Sequence, residues 1–329
     1  MVEVVLEKKK AKLGMTKREF LSKFGSLFGL VSLVIILSFL NSQFLTLNNF
    51  MNIANQTSIN ALLALGVLLP ILTAGIDLSI GAILAISIMT MGVVTVNFGM
   101  NPFVGILVCL AVGGTFGLIN GLLLTKLRLP HPFISTLGTM NIARGLALII
   151  TGAAPIAGFP VLIQYFGSGN IAGTVPFSFI LVIFMAILLH IFLNRTTIGR
   201  YIYAIGGNKE AARLSGINVD KVLIIVYVLS GLMAGLAGLV MVGRVNSAFP
   251  LAGMGYELDA IAAVIIGGAS LFGGVGTVWG TLIGALIIAV LRNGLNLIGV
   301  PADLQLAFIG FVIIAAVYVD VLRQRPSEK

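Results

Sequence analysis

Long apolar stretches dominate the chain, and short polar, proline or glycine-rich segments separate them. A helix needs about 20 mostly apolar residues to cross a hydrocarbon core of ~30 Å. Ten stretches reach or approach that length, which predicts an all-α polytopic membrane protein with about ten crossings. The predicted crossings are residues 24–41, 56–74, 78–97, 103–124, 133–151, 176–193, 222–243, 258–272, 276–297 and 304–322.

The composition agrees with this pattern. Hydrophobic residues make up 58% of the 329 residues and charged residues only 9%, whereas soluble domains carry about 25% charged residues. Such a chain could not cover its own surface with polar groups. A soluble globular enzyme is therefore excluded, and so is a disordered chain, which needs low hydrophobicity and high charge.

The distribution of charge predicts the sidedness of the chain. Segments 1–23, 195–221 and 320–329 hold 22 of the 31 charged side chains. With ten crossings, 17 of the 20 Lys and Arg residues fall on one side of the membrane. An excess of Lys and Arg marks the cytoplasmic side, so both chain termini are expected to be cytoplasmic.

The same boundaries divide the chain into one domain and two tails. We expect a basic cytoplasmic tail at 1–23, a single transmembrane domain at 24–322 and a cytoplasmic tail at 323–329. A weak repeat lies within the domain, because Asn-Gly-Leu followed by Pro and Phe-Ile occurs at 120–134 and again at 293–309. The two copies end crossings that run in opposite directions, as in the inverted repeats of many transporters.

The sequence carries no motif for nucleotide or metal chemistry. It contains neither a phosphate-binding Gly-x-x-x-x-Gly-Lys-Ser/Thr loop nor a His-Glu-x-x-His pair. The single Cys109 cannot form a disulfide within the chain, and His131 and His190 are far apart. Packed or interfacial histidines are a simpler interpretation than a metal pair. No cofactor or metal is expected, and no nucleic acid, since the net charge of +9 comes from short segments beside the membrane.

The cytoplasmic loop at 195–221 contains a short segment with both helix ends marked. It begins with an asparagine, a good N-cap, and ends at a glycine. Its glutamate lies near the start and its arginine near the end, which complements the helix dipole. A solvated loop helix without a role is one interpretation, and a docking helix is the other. The residues assigned to this helix are Asn208, Glu210, Ala211, Ala212, Arg213 and Gly216.

Four further motifs, together with this helix, resemble one family. Glu-Ala-Ala followed four residues later by Gly is the spacing of the cytoplasmic loop in ATP-binding-cassette importer permeases, although the usual Ile-x-Leu-Pro ending is missing. Over about residues 40–320 the chain resembles bacterial monosaccharide importer permeases for ribose, xylose, galactose, arabinose, allose and autoinducer-2, and ribose permeases most of all. The motifs are LTAGIDLSIG at 72–81, GRYIYAIGGN at 199–208, GYELDAIAA at 255–263 and GGASLFGG at 267–274.

The resemblance implies partners, location and mechanism. It implies a bacterial inner-membrane permease, usually present twice per complex, in contact with membrane lipid. It also implies a cytoplasmic ATP-binding-cassette ATPase and a periplasmic or lipid-anchored sugar-binding protein. ATP binding would close the ATPase, the loop helix would transmit this closure, and the sugar would cross by alternating access. Ribose is the first expectation, with xylose, galactose, allose or autoinducer-2 as alternatives.

Polar side chains near the ends of crossings are candidates for the sugar path, because monosaccharides need hydrogen-bonding partners. Each could equally bridge helices, as Ser, Thr and Asn do in membranes. Arg144 is expected to face the protein interior or a wet cavity, because a charge at the bilayer centre costs roughly 2.5–3.5 kcal/mol, and the alternative is that its side chain extends to the outer interface. The path candidates are Asn55, Gln56, Asn60, Ser135, Thr139, Asn141, Arg144 and Asn293, with Ser58, Thr136 and Asn296 beside them.

Two smaller groups complete the candidates. Asp77 lies in a tight turn, where it is expected to cap the following helix through Ser79 or its own carboxylate. Tyr256, Glu257 and Asp259 open a crossing at the outer face. They are candidates for contact with the binding protein, although the two acids would also suit a helix N-terminus without any partner.

Two other classes of function stay open at this point. A secondary carrier should show carboxylates within the membrane for ion coupling, yet Asp77 is the only acid between Glu19 and Glu210. A membrane enzyme should show a cluster of nucleophile, base or metal ligands, and none is evident. The permease interpretation is therefore preferred.

Overall fold

The structure is a computed structural model that describes residues 17–171 and 173–324. These residues are almost entirely helical. The described helices are α1 (Lys17–Leu40), α2 (Leu47–Leu72), α3 (Ile80–Gly92, continued by a π-helix at Val93–Asn97), α4 (Pro102–Thr125), α5 (Pro132–Thr151), α6 (Val161–Ser168), α7 (Phe177–Arg195), α8 (Thr197–Gly207), α9 (Lys209–Leu214), α10 (Val219–Val245), α11 (Tyr256–Ile266), α12 (Val278–Leu297) and α13 (Ala302–Gln324).

Four strands of two residues each complete the described elements. β1 (Ile156–Ala157) pairs antiparallel with β4 (Ser247–Ala248), so it ties the loop after α5 to the end of α10. β2 (Asn170–Ile171) pairs antiparallel with β3 (Val175–Pro176), just before α7. These pairs lie in the loops, and the fold is all-α as the sequence predicted.

Seven of the described helices are long and apolar enough to cross a membrane: α2, α3 with its π-helical end, α4, α5, α7, α10 and α12. Shorter apolar stretches lie within α1 and α13, at Gly25–Leu40 and Asp303–Ala315.

The expected crossing at 258–272 is wrong in its extent. Its helix α11 has 11 residues, a length of about 16 Å, and the chain then turns at Gly267. The glycines of 267–276 cause this stop, because four of them adopt positive φ: Gly268, Gly273, Gly274 and Gly276.

The core of the protein surrounds α2. In its most apolar stretch, 89% of the residues are buried inside the protein, and α10 and α12 pack along it. Another close contact joins α4 to α10, where glycines of the two helices meet. A Cβ added at Gly113, Gly117 or Gly231 would lie under 3 Å from backbone atoms of the other helix. Small residues therefore set the distance between these two helices, as is common in membranes.

Two segments inside the helix bundle are not helical. Residues 73–79 lead from the end of α2 into α3, and residues 249–255 lead from β4 into α11. Non-helical backbone at membrane depth is tolerated only where protein or a water-filled cavity surrounds it. Both segments meet this condition, since Gly81, just after the first, packs against the Gly253 carbonyl of the second.

The order of elements occurs twice along the chain. The first set consists of α2, the segment 73–79, α3, α4 and α5. The second set consists of α10, the segment 249–255, α11, α12 and α13. The residues of the weak sequence repeat fall on matching helices, with Asn120 in α4 and Asn293 in α12. This agrees with the expected internal repeat.

The expected tails extend beyond the described residues. Of the basic tail at 1–23, residues 1–16 lie outside the described residues and the rest belongs to α1. Of the tail at 323–329, residues 325–329 lie outside them.

Candidate functional site

The loop helix forms as the sequence predicted, as α9 (Lys209–Leu214). The Asn208 side chain caps it, with Oδ1 accepting from the backbone N–H groups of Glu210 at 3.1 Å and Ala211 at 2.9 Å. Arg213 and Glu210 form an exposed ion pair at 3.4 Å. Gly216 has φ +83°, a left-handed conformation that glycine adopts at little cost. Local sequence therefore determines both ends of this helix.

The outward face of α9 differs from the expected one. Ala212, assigned to the docking surface, is only 5% exposed and belongs to the hydrophobic core of the protein. Leu214 is instead 84% exposed. A leucine exposed to this degree on a short polar helix suits a contact with another protein. Leu214 is not evident from the sequence, because capping and charge do not show which way a short helix faces.

Beside α9 lies a cavity of about 840 Å³. We call the side of the protein that carries α9 the α9 side. The ends of α2 and α4 and the starts of α5 and α10 all lie there, as does the turn between α4 and α5. The cavity lining includes Thr73, Thr125, Arg128, His131, Pro132, Lys209, Arg213, Asp220 and Tyr227.

Helix α8 connects α9 to the glycine-rich turn before α12. Tyr203 Oη donates to the Gly276 carbonyl at 3.0 Å, and Gly274 N–H donates to the Leu72 carbonyl at 2.9 Å. Burial raises the pKa of the Tyr203 phenol, so the hydroxyl keeps the proton that it donates. If α9 and α8 moved, the contacts of α8 would therefore also move the end of α2 and the turn at 267–276.

A buried polar network surrounds the segment 73–79. Asp77 Oδ1 accepts from Ser79 N–H at 3.0 Å and Ser79 Oγ at 2.6 Å, and Asp77 Oδ2 accepts from Ser230 Oγ at 2.8 Å. Asn120 Nδ2 donates to Ser79 Oγ at 2.8 Å, and Thr139 Oγ1 donates to Asn120 Oδ1. Asp77 thus holds the turn before α3, but the expected cap is not formed, because Ser79, the N-cap residue of α3, makes no side-chain capping hydrogen bond. Thr139, a path candidate, belongs to this network.

The other candidates on α5 divide into a buried pair and one exposed residue. Ser135 is buried, and its hydroxyl donates to the Pro132 carbonyl of its own helix at 2.8 Å. Thr136 is also buried and donates to the same carbonyl, at 3.1 Å. Asn141 lies exposed on the outside of the bundle. The sequence grouped these residues by nearness along the chain, but the helix turns Asn141 away from the buried face.

Arg144 points into the protein. Its Nη1 donates to the carbonyls of Pro250 at 2.8 Å and Ala252 at 2.7 Å, which lie in the non-helical segment before α11. Glu257 lies close to the same segment, and its Oε1 accepts from Gly255 N–H at 3.2 Å. The arginine therefore joins α5 to the segment 249–255.

A second cavity, of about 240 Å³, lies away from α9. Its walls come from α2, α10, α11, α12 and α13. We call it the far cavity, because Arg244 lies at the opposite end of α10 from α9. The residues lining it are Gln56, Ile59, Asn60, Arg244, Tyr256, Asp259, Ala289, Arg292, Asn296 and Gln305.

The far cavity is lined by residues from two sets of candidates that the sequence assigned to different roles. Gln56 and Asn60 were path candidates, whereas Tyr256 and Asp259 were candidates for the outer protein-binding face. The outer-face expectation is wrong for Asp259, which is 5% exposed and accepts from Arg292 Nη2 at 2.7 Å. Arg292 was not among the candidates, although a charge in an apolar stretch was the signal that could have found it.

Two path candidates serve the packing of helices instead. Asn293 is buried, and its Nδ2 donates to Asn49 Oδ1 at 2.8 Å, which joins α12 to α2. Asn55 Oδ1 accepts from Ser178 Oγ at 3.2 Å, which joins α2 to α7. Neither asparagine lines the far cavity. Both asparagines therefore bridge two helices, which is the alternative role that the sequence left open for the path candidates.

The two histidines have ordinary structural surroundings. His131 Nδ1 accepts from Phe133 N–H at 3.2 Å and so caps α5. The His190 ring lies 5.8 Å, centroid to centroid, from the ring of Trp279. Among the described residues, no group of three or more His, Cys, Asp or Glu side chains could hold a metal ion.

Comparisons with known proteins agree over nearly the whole chain. The family model for the permease component of the branched-chain amino acid transport system matches residues 49–317. The ribose import permease protein RbsC of Escherichia coli strain K12 is 46% identical over 307 residues, which is 91% of this chain and 94% of that protein.

Two further relatives are of similar length. The ribose import permease protein RbsC of Bacillus subtilis strain 168 is 47% identical, over 91% of this chain and 93% of that protein. The D-allose transport system permease protein AlsC of Escherichia coli strain K12 is 44% identical, over 92% of this chain and 93% of that protein. No solved structure matches the chain.

Proposed function

The chain belongs to the family of branched-chain amino acid transport system permease components, and we propose that it is the membrane-spanning subunit of an ATP-driven importer for ribose or a closely related monosaccharide. It is a multi-pass protein of the bacterial inner membrane and a transport subunit rather than a catalyst. Relatives that carry ribose and allose support a monosaccharide as the substrate. One observation carries the proposal: a capped, exposed helix lies on one side of the bundle and a polar cavity lies toward the other.

The proposed ATPase partner binds at α9. Leu214 projects from this helix, with the exposed side chains of Lys209, Glu210 and Arg213 around it. An apolar anchor inside a charged rim is typical of a protein–protein contact. Ala212 anchors α9 to the permease itself, so movement of the docked helix would be passed to the bundle.

The ATPase proposal is tested with Leu214→Asp. Because the side chain is exposed, the change should leave membrane insertion and thermal stability unaltered. It should abolish co-purification of the ATPase in mild detergent and reduce sugar uptake at least tenfold. Val161→Asp is the matched control, since Val161 is nearly as exposed as Leu214 but lies on α6 beside the far end of α10. Normal ATPase recovery with Leu214→Asp would contradict the proposed contact.

A second permease copy is proposed to pack against α5. Asn141 is exposed on the face of this helix, and a polar amide facing lipid is unfavourable. A Cβ added at Gly138 or Gly145 would meet no atom within 4 Å, so the surface beside Asn141 is open to another helix. Small residues with one polar group are typical of helix association in membranes.

Cysteine cross-linking tests this contact. In a Cys109→Ala background, Asn141→Cys should give a disulfide-linked dimer in native membranes, because a two-fold axis brings the same face of both copies together. Phe184→Cys is the control, since Phe184 is similarly exposed on α7. Cross-linking that is equal for both, or confined to Phe184→Cys, would show that α5 does not form the interface.

The proposed sugar-binding protein delivers its sugar on the side of the protein opposite α9. Glu257 and Asp259 are not assigned to this contact, because Glu257 holds the segment 249–255 and Asp259 pairs with Arg292. Proteoliposomes containing the permease, its ATPase and the binding protein should take up D-ribose only when all three proteins and ATP are present. Uptake driven by an ion gradient without the ATPase would contradict the proposal and favour a secondary carrier.

A further inference from the structure

The far cavity has the size and the polar lining of a site for one small polar molecule. Its volume is about 240 Å³, well above the ~10–15 Å³ of such volume that one water molecule needs. This space can hold one monosaccharide ring. Most of the lining residues are polar, and the aliphatic side chains are Ile59 and Ala289. A branched aliphatic amino acid would find little apolar surface here.

Two atoms of lining residues lack partners. Among the described residues, Asn60 Oδ1 and Arg292 Nε are buried and have no hydrogen-bond partner. One is an acceptor and the other a donor, and each is costly to leave unpaired in a buried place. A hydroxyl group can donate to the first and accept from the second.

The surrounding contacts hold these groups in place. Arg292 Nη2 is fixed by Asp259 Oδ2 at 2.7 Å, so α11 sets the direction of the guanidinium. Gln305 Nε2 donates to Asn296 Oδ1 at 2.8 Å and to the Val300 carbonyl at 2.9 Å. Side chains held by neighbours lose less entropy on binding than free ones. The lining is thus organised before any ligand arrives.

We propose that the far cavity is a transit site for a single monosaccharide, in which Asn60 and the Arg292–Asp259 pair bind its hydroxyl groups. This inference rests on the proposed function, because it places the sugar of that importer at one point along the path. The ring of Tyr256 adds an apolar surface for the C–H face of the sugar. Few groups bind the sugar, which keeps binding weak and allows release.

Protection of a cysteine in the cavity tests this site without any transport. Ala289 lines the cavity and contributes no polar side-chain atom of its own. The purified chain with Cys109→Ala and Ala289→Cys, placed in lipid nanodiscs, would react with a small methanethiosulfonate reagent. D-ribose should slow this reaction in a saturable manner, whereas L-valine should not.

Variants identify the groups that bind the sugar. Asn60→Leu removes the unpaired acceptor at similar volume, and it should raise the D-ribose concentration needed for protection about tenfold. Gln56→Leu is the second variant and should weaken protection in the same direction. Asn194→Leu is the matched control, since Asn194 lies on α7 away from the far cavity and should leave protection unchanged.

The outcomes separate this inference from the proposed function. If D-ribose does not protect the thiol of the Ala289→Cys variant while the complete importer transports ribose, the transit site is wrong and the importer stands. If L-valine alone protects, the cavity is an amino-acid site and the inference is overturned. If the complete importer fails to transport any monosaccharide, the proposed function itself is wrong.

Discussion

At the scale of single residues, similar polar side chains inside the bundle have different roles. Asn293 joins two helices, Asn120 belongs to the network around Asp77, and Asn60 lines a cavity. All three are asparagines within predicted crossings, so type and position along the chain do not distinguish them. Their neighbours in space do, because each amide has a different set of contacts.

Asp77 should be essential for the stability of the turn before α3. Asp77→Ala leaves the donors of Ser79 and Ser230 unpaired in a buried site, where each unsatisfied group costs about 1–3 kcal/mol. We expect a loss of at least about 3 kcal/mol in the free energy of unfolding, seen as a clearly lower melting temperature in detergent. Thr115→Ala is the control, since Thr115 is exposed and bonds only within its own helix. Equal melting temperatures for both variants would refute this role.

Arg144 should hold the segment 249–255 in place. Arg144→Met removes the donor to the Pro250 and Ala252 carbonyls but keeps much of the side-chain volume. Amide hydrogen exchange in residues 249–255 should become faster, while exchange in the core helix α2 should not change. Arg195→Met, an exposed arginine at the end of α7, serves as the comparison. Unchanged exchange in 249–255 would show that other contacts suffice.

At the scale of elements, glycine sets how closely α4 and α10 approach. A Cβ at position 117 would lie under 3 Å from backbone atoms of Tyr227 and Val228, so Gly117→Ala should force the helices apart. Overpacking of this kind typically costs about 1–3 kcal/mol, and the melting temperature should fall. Gly29→Ala should not lower it, since a Cβ there meets no atom within 4 Å. A stable Gly117→Ala protein would mean that the contact is loose.

The two non-helical segments show why helix length alone does not describe this bundle. Helix α11 spans only about half of a membrane, and the segment 249–255 supplies the remaining distance. This arrangement places the start of α11, with Tyr256 and Asp259, at the wall of the far cavity. If α11 were a continuous membrane-spanning helix, Tyr256 and Asp259 would not lie at the level of the far cavity.

At the scale of the whole molecule, α9 and α6 lie at opposite ends of α10, so we expect them on opposite sides of the membrane. Helix α9 lies at the start of α10, whereas α6 packs against Gly243 near its end, about 36 Å away along the helix. In a Cys109→Ala background, Leu214→Cys should react with an impermeant thiol reagent only in inside-out vesicles. Val161→Cys should react only in intact spheroplasts. Reaction of both from the same side would disprove the predicted topology.

The sequence by itself determined the membrane class, the approximate crossings and the capped helix α9, and it predicts the sidedness of the chain. These features follow from hydropathy, charge and capping, which are local along the chain. Tertiary structure alone decided that α11 is short, that Leu214 rather than Ala212 faces outward, and that Asn60 shares a cavity with Arg292. The reason is physical: each of these depends on contacts between residues far apart in sequence, as between Asn49 and Asn293, and such contacts form only when the helices pack together.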